Sequence, residues 1–130
     1  MLASHPDGNV LAHVALADDR PEFALSYVHS VTRTPVTESY HATGDELVET
    51  EIRFTQHGPG LPTEADAGSS FTVRDGEFVV TMQRHFRAIV MQVHADQSPR
   101  LAADSRSLDL AQWGNRALTL GVATGPCAGP

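Results

Sequence analysis

The stretch that decides the fold is residues 23–40, which read Phe-Ala-Leu-Ser-Tyr-Val-His-Ser-Val-Thr-Arg-Thr-Pro-Val-Thr-Glu-Ser-Tyr. Two runs rich in β-branched and aromatic residues flank a polar turn at residues 32–35, a pattern typical of a β-hairpin. Because successive side chains of a strand point to opposite faces, each strand has one mainly apolar face, which we expect to face the core. These faces carry Phe23, Leu25, Tyr27, His29 and Val31 on the first strand and Val36, Glu38 and Tyr40 on the second.

His29 and Glu38 are the ionisable residues on these two apolar faces. A turn centred on Arg33 and Thr34 would place them opposite each other, with Cβ atoms roughly 4.5–5.5 Å apart. A carboxylate on the core side is costly unless it is paired or hydrogen-bonded. Two interpretations of Glu38 therefore stay open: a buried polar clasp that fixes the hairpin register, and a recognition role for a ligand or partner at the open end of the core.

Short strand patterns recur along the rest of the chain at a spacing of about 8–12 residues, with turn signals such as Asp75-Gly76 between them. The spacing predicts an all-β fold, either a small antiparallel β-sandwich or a partly open β-barrel. We expect a flexible leader at 1–8, a single β domain at 9–123 and a flexible tail at 124–130. The further predicted strands are 9–17, 47–55, 70–74, 77–84, 88–94, 101–110 and 116–123.

The predicted strand 47–55 alternates clearly between apolar and charged residues, which is typical of a half-buried antiparallel strand. The expected inward side chains are Val48, Ile52 and Phe54, and the expected outward ones are Glu49, Glu51 and Arg53.

Composition narrows the classes of protein. The formal net charge is −7, from 16 acidic and 9 basic residues, which argues against a nucleic-acid partner because that role needs a basic surface. The single cysteine, Cys127, cannot form an internal disulfide. No apolar run reaches the roughly 18 residues of a membrane-spanning helix. Residues 1–8 lack the basic and apolar regions of a signal peptide, which by itself predicts a cytoplasmic chain.

Residues 56–69 have no strand or helix period and include Gly58-Pro59-Gly60. Unstructured loops of this length are uncommon in compact domains and are often functional. A shaped functional loop and a plain crossover between sheets are both open.

Few residues point to catalysis or metal binding. None of the seven histidines has a diagnostic zinc spacing, although strands could assemble a site from His29, Glu38 and His57. Ser30 follows His29 directly, so the two side chains point to opposite faces and His29 cannot easily act as its base. There is no Gly-x-Ser-x-Gly elbow and no phosphate-binding glycine loop. We therefore expect no catalytic residues, no resident metal and no cofactor.

Residues 27–40, together with 54–64 and the Asp75–Phe78 hairpin, resemble the domain of unknown function 1850 family. The family pattern is an aromatic, a polar residue, His-Ser-Val, two variable residues, Thr-Pro, then a Glu two residues after the next apolar one, and later a glycine-rich turn ending in Gly-Leu-Pro or Gly-Met-Pro. The resemblance covers about residues 9–123, and Pro59 replaces the more usual small residue between the glycines. The resemblance and the hairpin reasoning together select His29, Ser30, Arg33, Thr34, Pro35, Glu38, His57, Gly58, Gly60 and Pro62 as candidate binding or interaction residues.

The resemblance implies a small, non-enzymatic, mostly β domain. Family members are often encoded beside, or fused to, TAXI-type TRAP transporters, which import organic acids with an extracytoplasmic solute receptor. This implies an extracytoplasmic or membrane-associated accessory domain whose partner is the TRAP membrane subunit or the solute receptor. The alternative is a sensor of a metal or small ligand that uses His29, Glu38 and His57, and a purely structural domain is a third possibility.

Overall fold

The computed structural model describes residues 1–17, 19–58, 61–62, 70–104 and 106–123. Within them, eleven strands and two short 3₁₀ helices follow one another along the chain. The strands are β1 (Leu2–Ser4), β2 (Val10–Ala12), β3 (Glu22–Val28), β4 (Pro35–Thr43), β5 (Glu46–Phe54), β6 (Ser70–Arg74), β7 (Glu77–Phe86), β8 (Ala88–Val93), β9 (Arg100–Ala103), β10 (Arg106–Asp109) and β11 (Arg116–Gly121). The 3₁₀ helices are Ala95–Gln97 and Leu110–Trp113.

The strands form two antiparallel sheets that pack face to face. The smaller sheet has the order β2-β1-β11-β8, and the larger has the order β10-β9-β3-β4-β5-β7-β6. Neither order closes on itself in the described part of the chain, so the fold is a β-sandwich and not a barrel. The all-β prediction is confirmed, and the predicted strand 101–110 is in fact the hairpin of β9 and β10.

The first residues of the chain are a structural strand. Leu2–Ser4 pairs with β11, and Leu2 is 0% exposed in the centre of the core. The prediction of a flexible leader at 1–8 is therefore wrong for these residues. A three-residue strand is too short to show an alternating pattern, which is why the sequence did not reveal it. The predicted tail at 124–130 lies outside the described residues.

The central hairpin forms as predicted, but with a different register. Leu25 is opposite Glu38, and Val28 is opposite Pro35, where the strands end. The backbone N–H of His29 donates to the Thr34 carbonyl oxygen at 2.9 Å. His29 is therefore opposite Thr34, and the predicted cross-strand pair of His29 with Glu38 is wrong.

A β-bulge interrupts β5. Ser39 of β4 is opposite Glu51, whereas Tyr40 is opposite Glu49, so Thr50 is an extra residue. The register with β7 also shifts between Glu49 and Glu51. A bulge changes which face the following side chains occupy, because it breaks the two-residue period.

This change of phase turns Glu49 inward. Leu47 and Glu49 lie on the buried face before the bulge, and Ile52 and Phe54 lie on it afterwards. The predicted inward positions of Ile52 and Phe54 are confirmed, but the prediction that Glu49 faces solvent is wrong: it is 7% exposed.

The larger sheet has two separate apolar clusters on its inner face. One joins both sheets and includes Leu2, Leu25 and Leu118. The other combines side chains of β4, β5 and β7 with Leu61, which follows the strand β5 in a loop segment. The inner face is thus covered partly by the smaller sheet and partly by the segment that contains Leu61.

The buried position of Leu2 can be tested by the variant Leu2→Ala. It should lower the free energy of unfolding by about 2–5 kcal/mol, the usual cost of removing a fully buried leucine side chain. Chemical denaturation measures this value. Val10→Ala on the neighbouring strand is the control, because Val10 is 52% exposed, and it should cost less than about 0.5 kcal/mol. Equal, small effects of both changes would show that Leu2 is not a core residue.

Candidate functional site

The turn of the central hairpin is organised by His29. Its Nδ1 accepts hydrogen bonds from the backbone N–H of Val31 at 3.1 Å and of Thr32 at 3.4 Å. Its carbonyl oxygen accepts from the N–H of Arg33 at 2.9 Å. Because the side chain is only 7% exposed and holds the turn from inside, His29 shapes the hairpin tip (residues 29–35) and is not presented on its surface.

Gly58 brings the following loop segment against this tip. A Cβ atom at Gly58 would lie 2.8 Å from Thr32 Cγ2 and 3.0 Å from His29 Cε1. A side chain therefore does not fit there without a shift. The N–H of Leu61 donates to the Gly58 carbonyl oxygen at 3.1 Å, and the buried Leu61 anchors the segment. The hairpin tip and this loop segment are therefore in contact at His29 and Gly58.

Several candidate residues are exposed on the hairpin tip. Ser30, Arg33 and Pro35 are exposed. Val31, which the sequence did not select, lies among them and has 65% of its surface accessible. Arg33 Nη2 donates to the backbone oxygen of Asp96 at 3.2 Å, which braces the tip against the 3₁₀ helix Ala95–Gln97.

Other predicted site residues have different roles. Thr34 shares a hydroxyl–hydroxyl hydrogen bond of 2.7 Å with Thr32, inside the tip. Pro62 is half-buried beside the anchored Leu61. Gly60 lies outside the described residues.

His57 belongs to an aromatic group and not to the hairpin tip. Its ring lies 4.3 Å from that of Phe78 and 5.3 Å from that of Phe54, and it stacks on Phe71 at 6.0 Å. In the part of the chain that the structure describes, no three His, Cys, Asp or Glu side chains are grouped to hold a metal ion. The structure thus places His29 at the hairpin turn, Glu38 on β4 and His57 in the aromatic group.

Glu38 lies on the inner face of the larger sheet, between the two apolar clusters. Its cross-strand neighbour Leu25 belongs to one cluster and its other neighbour Ile52 to the second. The hydroxyl of Tyr40 donates to Glu38 Oε1 at 2.8 Å, and the negative charge of Glu38 also acts on the Tyr27 hydroxyl. Glu38 therefore has a hydrogen-bond partner, which a core-side carboxyl group needs.

Glu49 lies on the neighbouring strand β5 opposite Tyr40, two residues along β4 from Glu38. Burial raises the pKa of the Glu49 carboxyl to about 8, and the carboxyl group of Glu38 acts in the same direction. The cation of Arg84, opposite on β7, acts against this shift. At neutral pH the Glu49 carboxyl group therefore keeps its proton, as a buried carboxyl beside a second carboxyl does.

The two tyrosines respond to the same environment. Burial, followed by the negative charge of Glu38, raises the pKa of Tyr27 and of Tyr40 well above the usual range. Both hydroxyls therefore remain protonated hydrogen-bond donors. We call Tyr27, Glu38, Tyr40 and Glu49 the carboxyl–tyrosine cluster.

A pocket of about 310 Å³ opens beside the carboxyl–tyrosine cluster, between the two sheets. Tyr27, Glu38 and Tyr40 line it from the larger sheet. Residues 89–93 of β8 form the opposite wall, and residues 97, 99 and 100 line it before and at the start of β9. The pocket thus combines apolar walls with a hydrogen-bonding floor.

The sequence showed part of this site. Glu38, Tyr27 and Tyr40 are all on the predicted core faces. A buried tyrosine hydroxyl usually has a hydrogen-bond partner, and this rule was the sign in the sequence that these side chains belong together. Glu49 was missed because the bulge at Thr50 cannot be seen in an alternating pattern.

The fold and the site define a small antiparallel β-sandwich domain with a polar pocket between its sheets. Residues 23–110 match the sequence model of the family described as a domain of unknown function, DUF1850, and the chain belongs to this family. No curated protein and no solved structure matches the chain. Among the described residues, no helix is long and apolar enough to cross a membrane.

The raised pKa of Glu49 makes stability depend on pH. Between the ordinary value of 4.5 and about 8, the folded chain holds a proton that the unfolded chain releases. This contribution is complete below the unfolded value and is lost as pH rises through the folded value. Relative to Glu49→Gln, the wild-type free energy of unfolding should therefore fall from pH 5 to pH 8, by up to about 1.4 kcal/mol per pH unit.

Denaturant unfolding at several pH values measures this difference. Glu51→Gln is the matched control on the other face of β5 and should keep the wild-type slope. A flat difference between wild type and Glu49→Gln would contradict the shifted pKa.

The contact of Gly58 with the hairpin tip predicts a coupled pair of variants. Gly58→Ala should cost about 1–3 kcal/mol because its methyl group overlaps Thr32 Cγ2. Thr32→Ser removes that methyl and keeps the hydroxyl. The double variant should therefore be more stable than the sum of the two single effects predicts. Purely additive effects, measured by chemical denaturation, would show that the two segments do not pack together.

Proposed function

We propose that this chain is a non-enzymatic binding and interaction domain that acts as an accessory to TAXI-type TRAP transport of organic acids. Its partner in this proposal is the TRAP membrane subunit or the solute receptor. The motif in residues 27–40 and 54–64 is the source of the transport association. A contact with the solute receptor would require an extracytoplasmic or membrane-associated location, and we include that location in the proposal.

The observation that carries the proposal is the exposed and braced hairpin tip. His29 and Gly58 hold it from one side, and the Arg33–Asp96 hydrogen bond holds it from another. A loop that is already fixed loses little conformational entropy when a partner binds. The tip is therefore suited to a protein contact.

The chemistry of the tip also supports a protein contact. Val31 offers an apolar side chain and Arg33 a cation, on a chain whose formal net charge is −7. Arginine is enriched in protein interfaces, and arginine side chains often carry much of the binding energy. A partner surface with an apolar site beside an acidic one would fit this tip.

Binding measurements on the purified chain test the proposal. The wild type should bind the TRAP membrane subunit in detergent or the solute receptor from the same organism. Arg33→Glu and Val31→Asp should each weaken this binding about tenfold or more, since each reverses or removes a complementary contact. Biolayer interferometry gives the affinities, and thermal unfolding checks that each variant is folded.

Two matched controls sharpen this test. Arg106→Glu makes the same charge reversal on the exposed edge strand β10, and Val73→Asp changes a valine that is also 65% exposed. Both should bind like the wild type. The proposal would be overturned if the wild type bound neither partner. It would also be overturned if the tip variants and the control variants lost equal affinity.

A further inference from the structure

We propose that the pocket between the two sheets binds a small organic ammonium compound, with its ammonium group against Glu38 and its apolar body between the sheets. This site is distinct from the hairpin tip and does not depend on the proposed transporter contact.

The dimensions and lining of the pocket point to a small organic ligand. Its volume of about 310 Å³ is at the lower end of the range for small-molecule sites, which are mostly apolar with a few placed polar groups. The buried side chains of Leu25, Val93 and Leu110 supply apolar walls, and Tyr27, Glu38 and Tyr40 supply the polar floor.

The charge of the floor selects a cation. Glu38 is half-buried and lines the pocket, so one side of its carboxyl group is open to a ligand. The Tyr40 hydroxyl donates to one oxygen of this carboxyl group. The remaining lone pairs of the carboxylate can accept from an N–H donor, and its negative charge repels an anion. A charge-assisted hydrogen bond of an ammonium group to a carboxylate is among the stronger polar contacts.

Two arginines lie near the floor of the pocket, and each interacts with another side chain. Arg100 is the cation among the described residues that line the pocket, and its Nε donates to Ser107 Oγ of the outer strand β10 at 2.8 Å. Arg84 lies on β7 opposite Glu49, and its cation favours the ionised form of that carboxyl group.

Glu49 gives the site a proton to exchange. It lies on β5 opposite Tyr40, and the titratable and charged groups that face it are Glu38 and Tyr40 of β4, Tyr27 of β3 and Arg84 of β7. A bound ammonium ion favours the ionised form of Glu49, so the proton of Glu49 passes to the solvent. Below the raised pKa of Glu49, binding should therefore strengthen as pH rises.

A matched series of probes tests the proposal by isothermal titration calorimetry. Phenethylammonium, 2-phenylethanol and phenylacetate share an aromatic body and differ in the charge of the polar end. At pH 8, phenethylammonium should bind at least tenfold more tightly than either of the others. Its dissociation constant should fall by up to tenfold per pH unit from pH 6 to pH 8 and change little above that.

Variants assign the effect to the floor of the pocket. Glu38→Gln should weaken phenethylammonium binding at least tenfold. Glu49→Gln should remove the pH dependence below pH 8 and still bind the probe, which keeps the test informative even if Glu38→Gln does not fold. Glu51→Gln, on the outer face of the same sheet, should behave like the wild type.

Each contrary result overturns the proposal. Tighter binding of phenylacetate would mean an anion site, and equal binding of 2-phenylethanol would mean a neutral hydroxyl site. No heat of binding with any probe at millimolar concentration, or an unchanged affinity in folded Glu38→Gln, would show that the floor does not hold an ammonium group.

Discussion

The smaller sheet is too narrow to cover the larger one, and the rest of the structure follows from this constraint. Strands lie about 4.7–4.9 Å apart, so seven of them extend roughly twice as far across as four. The smaller sheet covers the side of β9 and β3, and Leu61 contributes to the cover over β5 and β7. Glu38 lies at the boundary between these two covers. The pocket opens there because each cover ends there.

The carboxyl–tyrosine cluster fills a gap in the core with polar groups, and removing these groups from water costs free energy. An apolar side chain at Glu38 or Glu49 would pack without hydrogen-bond partners, whereas the half-buried Glu38 has the Tyr40 hydroxyl as its partner and the buried Glu49 retains a proton. The cluster also faces a pocket, and it contains more polar groups than a clasp of the hairpin alone requires. Of the two roles that the sequence left open for Glu38, the structure thus contains the contacts of a clasp and the access needed by a ligand.

Much of the fold was predictable because strand patterns depend on local alternation. The central hairpin, β5, the hairpin of β6 and β7 around Asp75-Gly76, β8 and β11 all form near their predicted positions. The register was missed because His29 ends the strand early and folds back on its own turn, an interaction of a side chain with the backbone that alternation does not encode. The inward turn of Glu49 was missed for a related reason: one extra residue, Thr50, reverses the alternation, and no residue type marks it.

The pairing of β1 with β11 also has a consequence for how the chain folds. Leu2 lies opposite Leu120, so the first described strand completes its sheet only when almost the whole domain has been made. Contacts between residues so distant in sequence carry a large loop-closure cost and slow the formation of the native state. During synthesis, β1 can therefore pair with β2 but must wait for its second partner strand, and one face of the core stays uncovered until β11 arrives.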